Sequence, residues 1–299
     1  MSLDSPAISV VIPSYRGGAY LREAVQSVVS QTFTDWEIVI VLDGCDDNTD
    51  DLTQNHRVRV IRQKNRGVSI ARNVAIANAK GRFIAFLDDD DRMLAKRLEV
   101  QYEALRDDDS ADLCHSQFQF IDEKGNVKGR GASRNSQYAD FLRSKGGLLF
   151  STALVRKSAL NAVGGFNPLF STSEDMDLVY RIARTSTLVF TPETLYEYRI
   201  HGQNAWLSQS TTGDDMALKL VLAAHRIAAT TGGETENLRA IKEGLRHALP
   251  VRADLALRGA REAVTTRKYG KAAVALLRAF LIAPGPVVRV LARGRRHEI

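Results

Sequence analysis

The sequence predicts an α/β fold, a central, mostly parallel twisted sheet flanked by helices, followed by a helical C-terminal extension. Two observations carry this. Short apolar runs rich in β-branched residues alternate with segments whose apolar residues recur at helical spacing, which is the pattern of strands buried on both faces and connected by helices. Three of the runs also end in polar clusters, at Pro13-Ser14-Tyr15, at Asp43-Gly44 and at Asp88-Asp89-Asp90-Asp91. In a parallel sheet the carboxyl ends of strands lie on one rim, and ligands bind there.

The elements follow in order. Ile8–Ile12 reads as a buried strand ended by Pro13, and Leu21, Ala24, Val25, Val28 and Val29 mark an amphipathic helix. Glu37–Leu42 is a second buried strand and Val58–Arg62 a weaker third. Ala71, Val74, Ala75 and Asn78 mark another helix, and Phe83–Leu87 is a strand running straight into the four aspartates. Residues 113–121 and 149–155 read as strands with mixed faces, and 125–137 as a loop rich in Gly and Arg. A helix is expected from about Ser173 to Thr185, then closing strands at Thr187–Phe190 and Leu195–Ile200. Beyond about Asn204 the pattern is helical, so the domain division is 1–205 and 206–299.

With 299 residues, 44% of them hydrophobic and 25% charged, the chain can bury a large core and has an ordinary globular composition. The net charge of +6 is concentrated from Val251 to Ile299, where eleven Lys/Arg face three Asp/Glu. Cys45 and Cys114 are far apart and in no metal-binding spacing, which argues against a disulfide scaffold. With no leader and no apolar run near the roughly 20 residues needed to span a bilayer, the expectation is a cytoplasmic protein. Tyr269, Ala272, Ala273, Leu276, Leu277, Phe280 and Leu281 share one helical face beside basic residues. That face fits packing against the core or peripheral contact with an anionic membrane.

Four adjacent carboxylates repel one another unless a cation compensates them. Mg²⁺ and Mn²⁺ prefer such hard oxygen ligands, and alternate residues of an extended segment, Asp88 and Asp90, can face one ligand. Asp43, at the end of the second strand, can accept hydrogen bonds from a base or ribose. Acidic Glu174-Asp175 at a helix start fits either dipole compensation or chemistry, and His201 by itself is ambiguous. The acidic stretch from Asp46 fails the EF-hand pattern, with Asp51 where Gly is needed and Arg57 where Glu is needed.

Taken together, four segments resemble the inverting glycosyltransferases of family 2, which have the GT-A (nucleotide-diphospho-sugar transferase) fold. They are ISVVIPSYRGGAYLREAVQSVVSQTFTDWEIVIVLDG, NRGVSIARNVAIANAKGRFIAFLDDDD, VGGFNPLFSTSEDMDLVYRIAR and YRIHGQN, and they cover about residues 7–205. The resemblance implies that Asp43 contacts the nucleotide base, with Pro13 and Tyr15 lining its pocket. It implies that Asp88 and Asp90 form the DXD pair, with Asp90 the metal contact and Asp88 near both metal and ribose. Asp89 falls with the donor-binding residues, His201 matches a further metal ligand, and Arg72 lies near the donor. Asp175 matches the catalytic base with Glu174 in support, and Gly146 and Gly147 match a backbone turn beside the donor sugar. The implied cofactor is Mg²⁺ or Mn²⁺, and the implied partners are a nucleotide sugar, UDP-linked in most members, and a carbohydrate or lipid-linked acceptor. Leu42 and Cys45 depart from the usual aspartate and serine, which leaves donor recognition to Asp43.

The rival readings lack their signatures. A nicotinamide-dependent oxidoreductase needs G-x-G-x-x-G after the first strand, where this chain has Pro13-Ser14-Tyr15-Arg16-Gly17-Gly18. A nucleotidylyltransferase needs an N-terminal Gly-rich phosphate loop. A nucleic-acid binder finds a basic tail but no binding motif. A non-catalytic nucleotide-sugar-binding protein of the same fold is expected to lose one of Asp90, Asp175 or His201, and all three are present. Oligomeric state is not readable from the sequence.

Overall fold

The computed structural model of the protein describes residues 5–143, 145–170, 173–202 and 239–240. Apart from 139–143 and 145, the described residues up to 202 belong to one compact unit, and the segment Ala139–Lys145 falls to a second. The basic apolar face read between Tyr269 and Leu281 lies outside the described residues, as does nearly all of the 206–299 extension. Among the described residues no helix is long and apolar enough to cross a membrane.

The amino-terminal half is a βα alternation. Strands β1 (Ile8–Ser14), β2 (Trp36–Asp43), β3 (Val58–Gln63) and β4 (Phe83–Phe86) run parallel in the order β3-β2-β1-β4. Every residue of β1, β2 and β4 is buried, which is why these strands read as continuous apolar runs rather than alternating ones. Helix α1 (Gly18–Val29) buries Leu21, Ala24, Val25 and Val28. A single turn, α2 (Asp50–Thr53), precedes β3, and α3 (Val68–Asn78) buries Ala71, Ala75 and Ile76. Pro13 has no amide to give to a ladder, and it lies where β1 has outrun β4, whose pairing stops at Val11↔Phe86. β1 and β2 therefore project past β4 toward the rim that carries the polar clusters.

The second half of the sheet is mixed. β5 (Arg92–Met93) and helix α4 (Arg97–Arg106) follow the aspartates. β6 (Ala111–Ile121) makes a hairpin with β7 (Val127–Arg130). Helix α5 (Tyr138–Leu142) comes next. A 3-10 turn at Phe150–Thr152 leads into β8 (Leu154–Arg156), helices α6 (Lys157–Ala162) and α7 (Glu174–Ala183), and finally β9 (Thr187–Arg199). The order continues β4-β8-β6-β9-β5, with β6–β9 parallel and the other pairs of this half antiparallel.

Three local expectations change, and helix α4 goes unread in the sequence. The predicted closing strands at 187–190 and 195–200 are one strand, because the register against β6 slips between Ser116 and Gln117. There Thr191 and Thr194 face consecutive residues, so Pro192 and Glu193 fall in a bulge where proline is tolerated. The 149–155 strand begins instead as the 3-10 turn, and the 125–137 loop contains β7. Helix α4 escapes periodicity because two of its four buried positions, Arg97 and Gln101, are polar.

Candidate active site

The three polar clusters do lie at strand carboxyl ends of one parallel ladder, at Ser14, Asp43 and the residues just past Phe86. The four aspartates then divide into distinct environments. Asp88 Oδ1 accepts a bond from Arg72 at 2.9 Å and its Oδ2 one from the Ser151 hydroxyl at 2.5 Å. Asp89 turns under the loop after β1, where its Oδ2 accepts Ser14 Oγ at 2.6 Å and the Tyr15 amide at 3.3 Å. Burial pushes the Asp89 carboxyl up to about 7, with the Ser14 hydrogen bond opposing and the Asp90 charge adding to the rise. Gly17 makes this packing possible, since a Cβ there would lie 2.6 Å from Asp89 Oδ2.

Asp90 Oδ2 lies 2.9 Å from His201 Nε2, joining residues 111 apart in sequence. Burial, then repulsion from Asp88, raises the Asp90 carboxyl above the usual carboxylate range, and the His201 hydrogen bond partly offsets this. Asp91 is wholly buried and structural. It accepts Tyr196 Oη at 2.7 Å and the Arg199 amide at 2.7 Å. The fully buried Arg199 guanidinium donates to the carbonyls of Asp90 and Glu123 and to Glu23 Oε2, and lies 4.4 Å from the centre of the Tyr20 ring. Tyr20 in turn stacks on His201 at 5.5 Å. Arg199 thus fixes both the backbone at Asp90 and the strand end that delivers His201.

Asp90 and His201, with Asp88 two residues before Asp90, form an oxygen and imidazole donor set of the kind that Mg²⁺ or Mn²⁺ accepts. The Asp88 charge raises the Asp90 carboxyl, a repulsion that such a cation would relieve. The structure brings Asp90 and His201 together and points Asp88 toward Arg72. Among the described residues no three His, Cys, Asp or Glu side chains converge as a cage.

Arg72 links the two acidic groups. Its Nη2 holds Asp88, its Nη1 holds Glu174 Oε1 at 3.0 Å, and its guanidinium lies 5.3 Å from the centre of the Phe166 ring. Burial disfavours the charged guanidinium, but Asp88 and Glu174 outweigh that and keep it protonated. Its Nε is buried without a partner. Asn73, one residue on, grips the backbone of Phe166 twice, at 2.8 Å each, so α3 anchors the turn that precedes α7. Glu174 and Asp175 open α7 after Ser173, which takes a left-handed conformation (φ 59°). Asp175 Oδ1 accepts the Met176 amide at 2.7 Å. Burial raises both carboxyls, repulsion from Asp175 raises Glu174 further, and the Arg72 charge pulls both back.

Asp43 is occupied by its own chain. Its Oδ1 accepts Gln63 Nε2 and the Arg66 amide, and its Oδ2 the Gly67 amide, all at 2.7–2.8 Å. It therefore shapes the loop between β3 and α3 and keeps one lone pair on Oδ2 for a further donor. Pro13 is the buried penultimate residue of β1, and the Tyr15 ring beyond it is half exposed. Gly146 and Gly147 are partly buried, and the Gly147 backbone donates to Ser136 Oγ and accepts from the Arg134 amide. Ser14 lies in a rim cluster the sequence named, whereas Ser151, Asn73, Tyr196 and Arg199 are site-building residues that the sequence did not single out.

Residues 9–164 match the profile described as Glycosyl transferase family 2. The chain belongs to glycosyltransferase family 2. A glycosyltransferase of Rickettsia felis described as uncharacterized is 29% identical over 214 residues, covering 68% of this chain and 36% of that one. The match thus spans about a third of that relative. Glycosyltransferase GlyG of Streptococcus pneumoniae is 31% identical over 216 residues, covering 65% of this chain and 71% of that one. Among solved structures, S. aureus TarS 1–349 in complex with UDP-GlcNAc shares the fold with a TM-score of 0.61 at 17% identity, covering 92% of this chain and 91% of that one. The α/β fold is therefore that of the GT-A family members.

Proposed function

We propose that this family 2 protein transfers a sugar from a UDP-sugar to an acceptor hydroxyl with inversion at the anomeric carbon. The acceptor class that fits best is a cell-surface polysaccharide or glycolipid, carbohydrate or lipid-linked. The observation that carries the reading is the bridge from Asp88 through Arg72 to Glu174, with Asp175 the next residue. It joins a donor-side acidic cluster to a carboxyl suited to act as base. The binding of UDP-GlcNAc by TarS supports the choice of nucleotide.

In this reading Asp175 takes the proton of the acceptor hydroxyl as its oxygen bonds to the anomeric carbon, and the bond from that carbon to the diphosphate breaks with its electron pair leaving on the phosphate. The raised position of the Asp175 carboxyl, caused by burial, favours this, because a carboxylate of raised pKa is the stronger base. Glu174, held by Arg72, positions α7 and adds negative potential at the base. A divalent cation, Mg²⁺ or Mn²⁺, held by Asp90 and His201 with Asp88 alongside, would supply charge neutralisation at the leaving diphosphate. Asp175→Asn is expected to abolish transfer and leave nucleotide affinity within about twofold, since the amide keeps the shape but not the basicity. Transfer at the wild-type rate in that variant refutes the assignment of the base.

A further inference from the structure

We propose that Arg16 is a donor-binding residue whose guanidinium grips the diphosphate of the nucleotide sugar; this rests on the donor reading above. Arg16 lies two residues beyond β1, on the rim that presents Asp43 and Asp88. Its backbone is left-handed, with φ 65°, a conformation that side chains other than Gly, Asn and Asp seldom adopt. Its neighbours impose this. Ser14 Oγ and the Tyr15 amide are both tied to Asp89 Oδ2, and Gly17 packs so closely on the same oxygen that no Cβ fits. The residue between these fixed points takes the remaining conformation and carries its side chain outward.

The loop needs nothing from an arginine. Gly or Asn would meet the backbone requirement at lower cost, so stability does not account for the residue present. The side chain is exposed, makes no hydrogen bond or ion pair with the described protein, and rests 5.0 Å from the centre of the half-exposed Tyr15 ring. The nearby carboxylates are already engaged, Asp88 by Arg72 and Ser151, Asp89 by Ser14 and Tyr15, Asp90 by His201. Arg72 and Arg199 are committed to protein partners, and the Arg72 donor left over, Nε, is buried. Arg16 instead offers a planar fork, steadied on an aromatic face, with its donors still to place. That is the form in which arginine recognises phosphate oxygens. Strained residues of this kind concentrate at ligand clamps.

The test is calorimetric titration of wild type, Arg16→Gln and Arg16→Gly with uridine, UMP and UDP in the presence of Mn²⁺, together with melting curves without ligand. If another diphosphate stabilises the wild type better, its own series is used. The glutamine variant is expected to bind UDP about 10- to 100-fold more weakly and uridine as wild type does, the loss expected for a charge-assisted contact to phosphate. The glycine variant is expected to lose UDP affinity equally while its Tm rises by about 2 °C, because the strain is relieved. A purely structural residue would lower Tm and affinity together, and that result overturns the proposal. So does wild-type UDP affinity in Arg16→Gln, or an equal loss for uridine and UDP. Wild type that binds none of UDP, GDP, dTDP or CDP refutes the donor reading, and Arg16 with it. Loss confined to the variants leaves that reading standing.

Discussion

Replacing Arg72 by Met removes the cation shared by two acidic side chains and keeps much of its apolar volume. Arg72 is 9% exposed at its side chain, and its partners Asp88 and Glu174 are 27% and 13% exposed. Removing one member of a buried charged pair costs about 3–5 kcal/mol, because the remaining charge is left in a poorly solvating site. Two terms reduce this. The unpartnered Arg72 Nε no longer has to be buried, which returns about 1 kcal/mol, and Asp88 keeps its bond from Ser151. The net expectation at pH 7.5 is a loss of about 3 kcal/mol. With an m-value of about 2–3 kcal/mol/M in urea, the unfolding midpoint falls by about 1–1.5 M. The loss also has a pH signature. Without the guanidinium, the folded-state pKa of Glu174, already raised, rises further above its unfolded value. The folded state then holds protons that the unfolded state has released. Stability relative to wild type is therefore poorest above that raised pKa and recovers as pH falls toward the ordinary carboxylate range. Urea melts of both proteins at pH 5–8 in EDTA read this directly. A loss under 1 kcal/mol, or one independent of pH, refutes the account of Arg72 as the counter-charge of this cluster.

Three further outcomes are expected. His115 is wholly buried with neither ring nitrogen hydrogen-bonded, and burial pulls its pKa down from 6.5 to about 4, so the unfolded chain takes up the proton first as pH falls. This one group should remove about 3 kcal/mol between pH 6.5 and 4, a loss absent from His115→Phe, and the difference between wild-type and variant melts across that range measures it. Gly17→Ala places a Cβ 2.6 Å from Asp89 Oδ2 and should lower stability by about 1–3 kcal/mol, a drop of several degrees in Tm, and an unchanged Tm would show that the loop has room. Finally, stabilisation by UDP should require Mn²⁺ or Mg²⁺, vanish in EDTA and vanish in Asp90→Ala, as thermal shift will show; equal stabilisation in EDTA removes the cation from the reading.

The first half of the fold is plain in the sequence because each strand of its parallel ladder is dictated by burial on both faces, so composition alone marks it. The rim residues could be read for the same reason, since strand ends in such a sheet share a side. The second half is less readable. Its 13-residue closing strand contains Pro192, which argues for two strands until the bulge opposite Ser116 and Gln117 is seen. Helix α4 buries Arg97 under the Tyr196 ring, an inward charge that no periodicity anticipates. In the site, four consecutive aspartates announce a cluster but not its division of labour. Asp91 is distinguished from Asp90 only by Tyr196 and Arg199, more than a hundred residues away. Arg72 could be placed near the donor by resemblance, but its second bond, to Glu174, requires the fold.

β5 is two residues long, yet it pairs Arg92 with Glu197 and Met93 with Tyr196, and the Arg92 side chain adds a 2.8 Å bond to Glu197. It stitches the stretch just after the aspartates to the stretch just before the histidine. Those two segments therefore behave as one piece, although most of the second half of the sheet is translated between them. The turn around Lys124 belongs to that stitch, since Arg92 donates to the Gly125 carbonyl and Arg199 to that of Glu123, whereas the short β7 beyond it pairs with β6, so a replacement of β7 leaves Asp90 facing His201. The architecture lets the chain revise what it meets on that side while inheriting its other half unchanged.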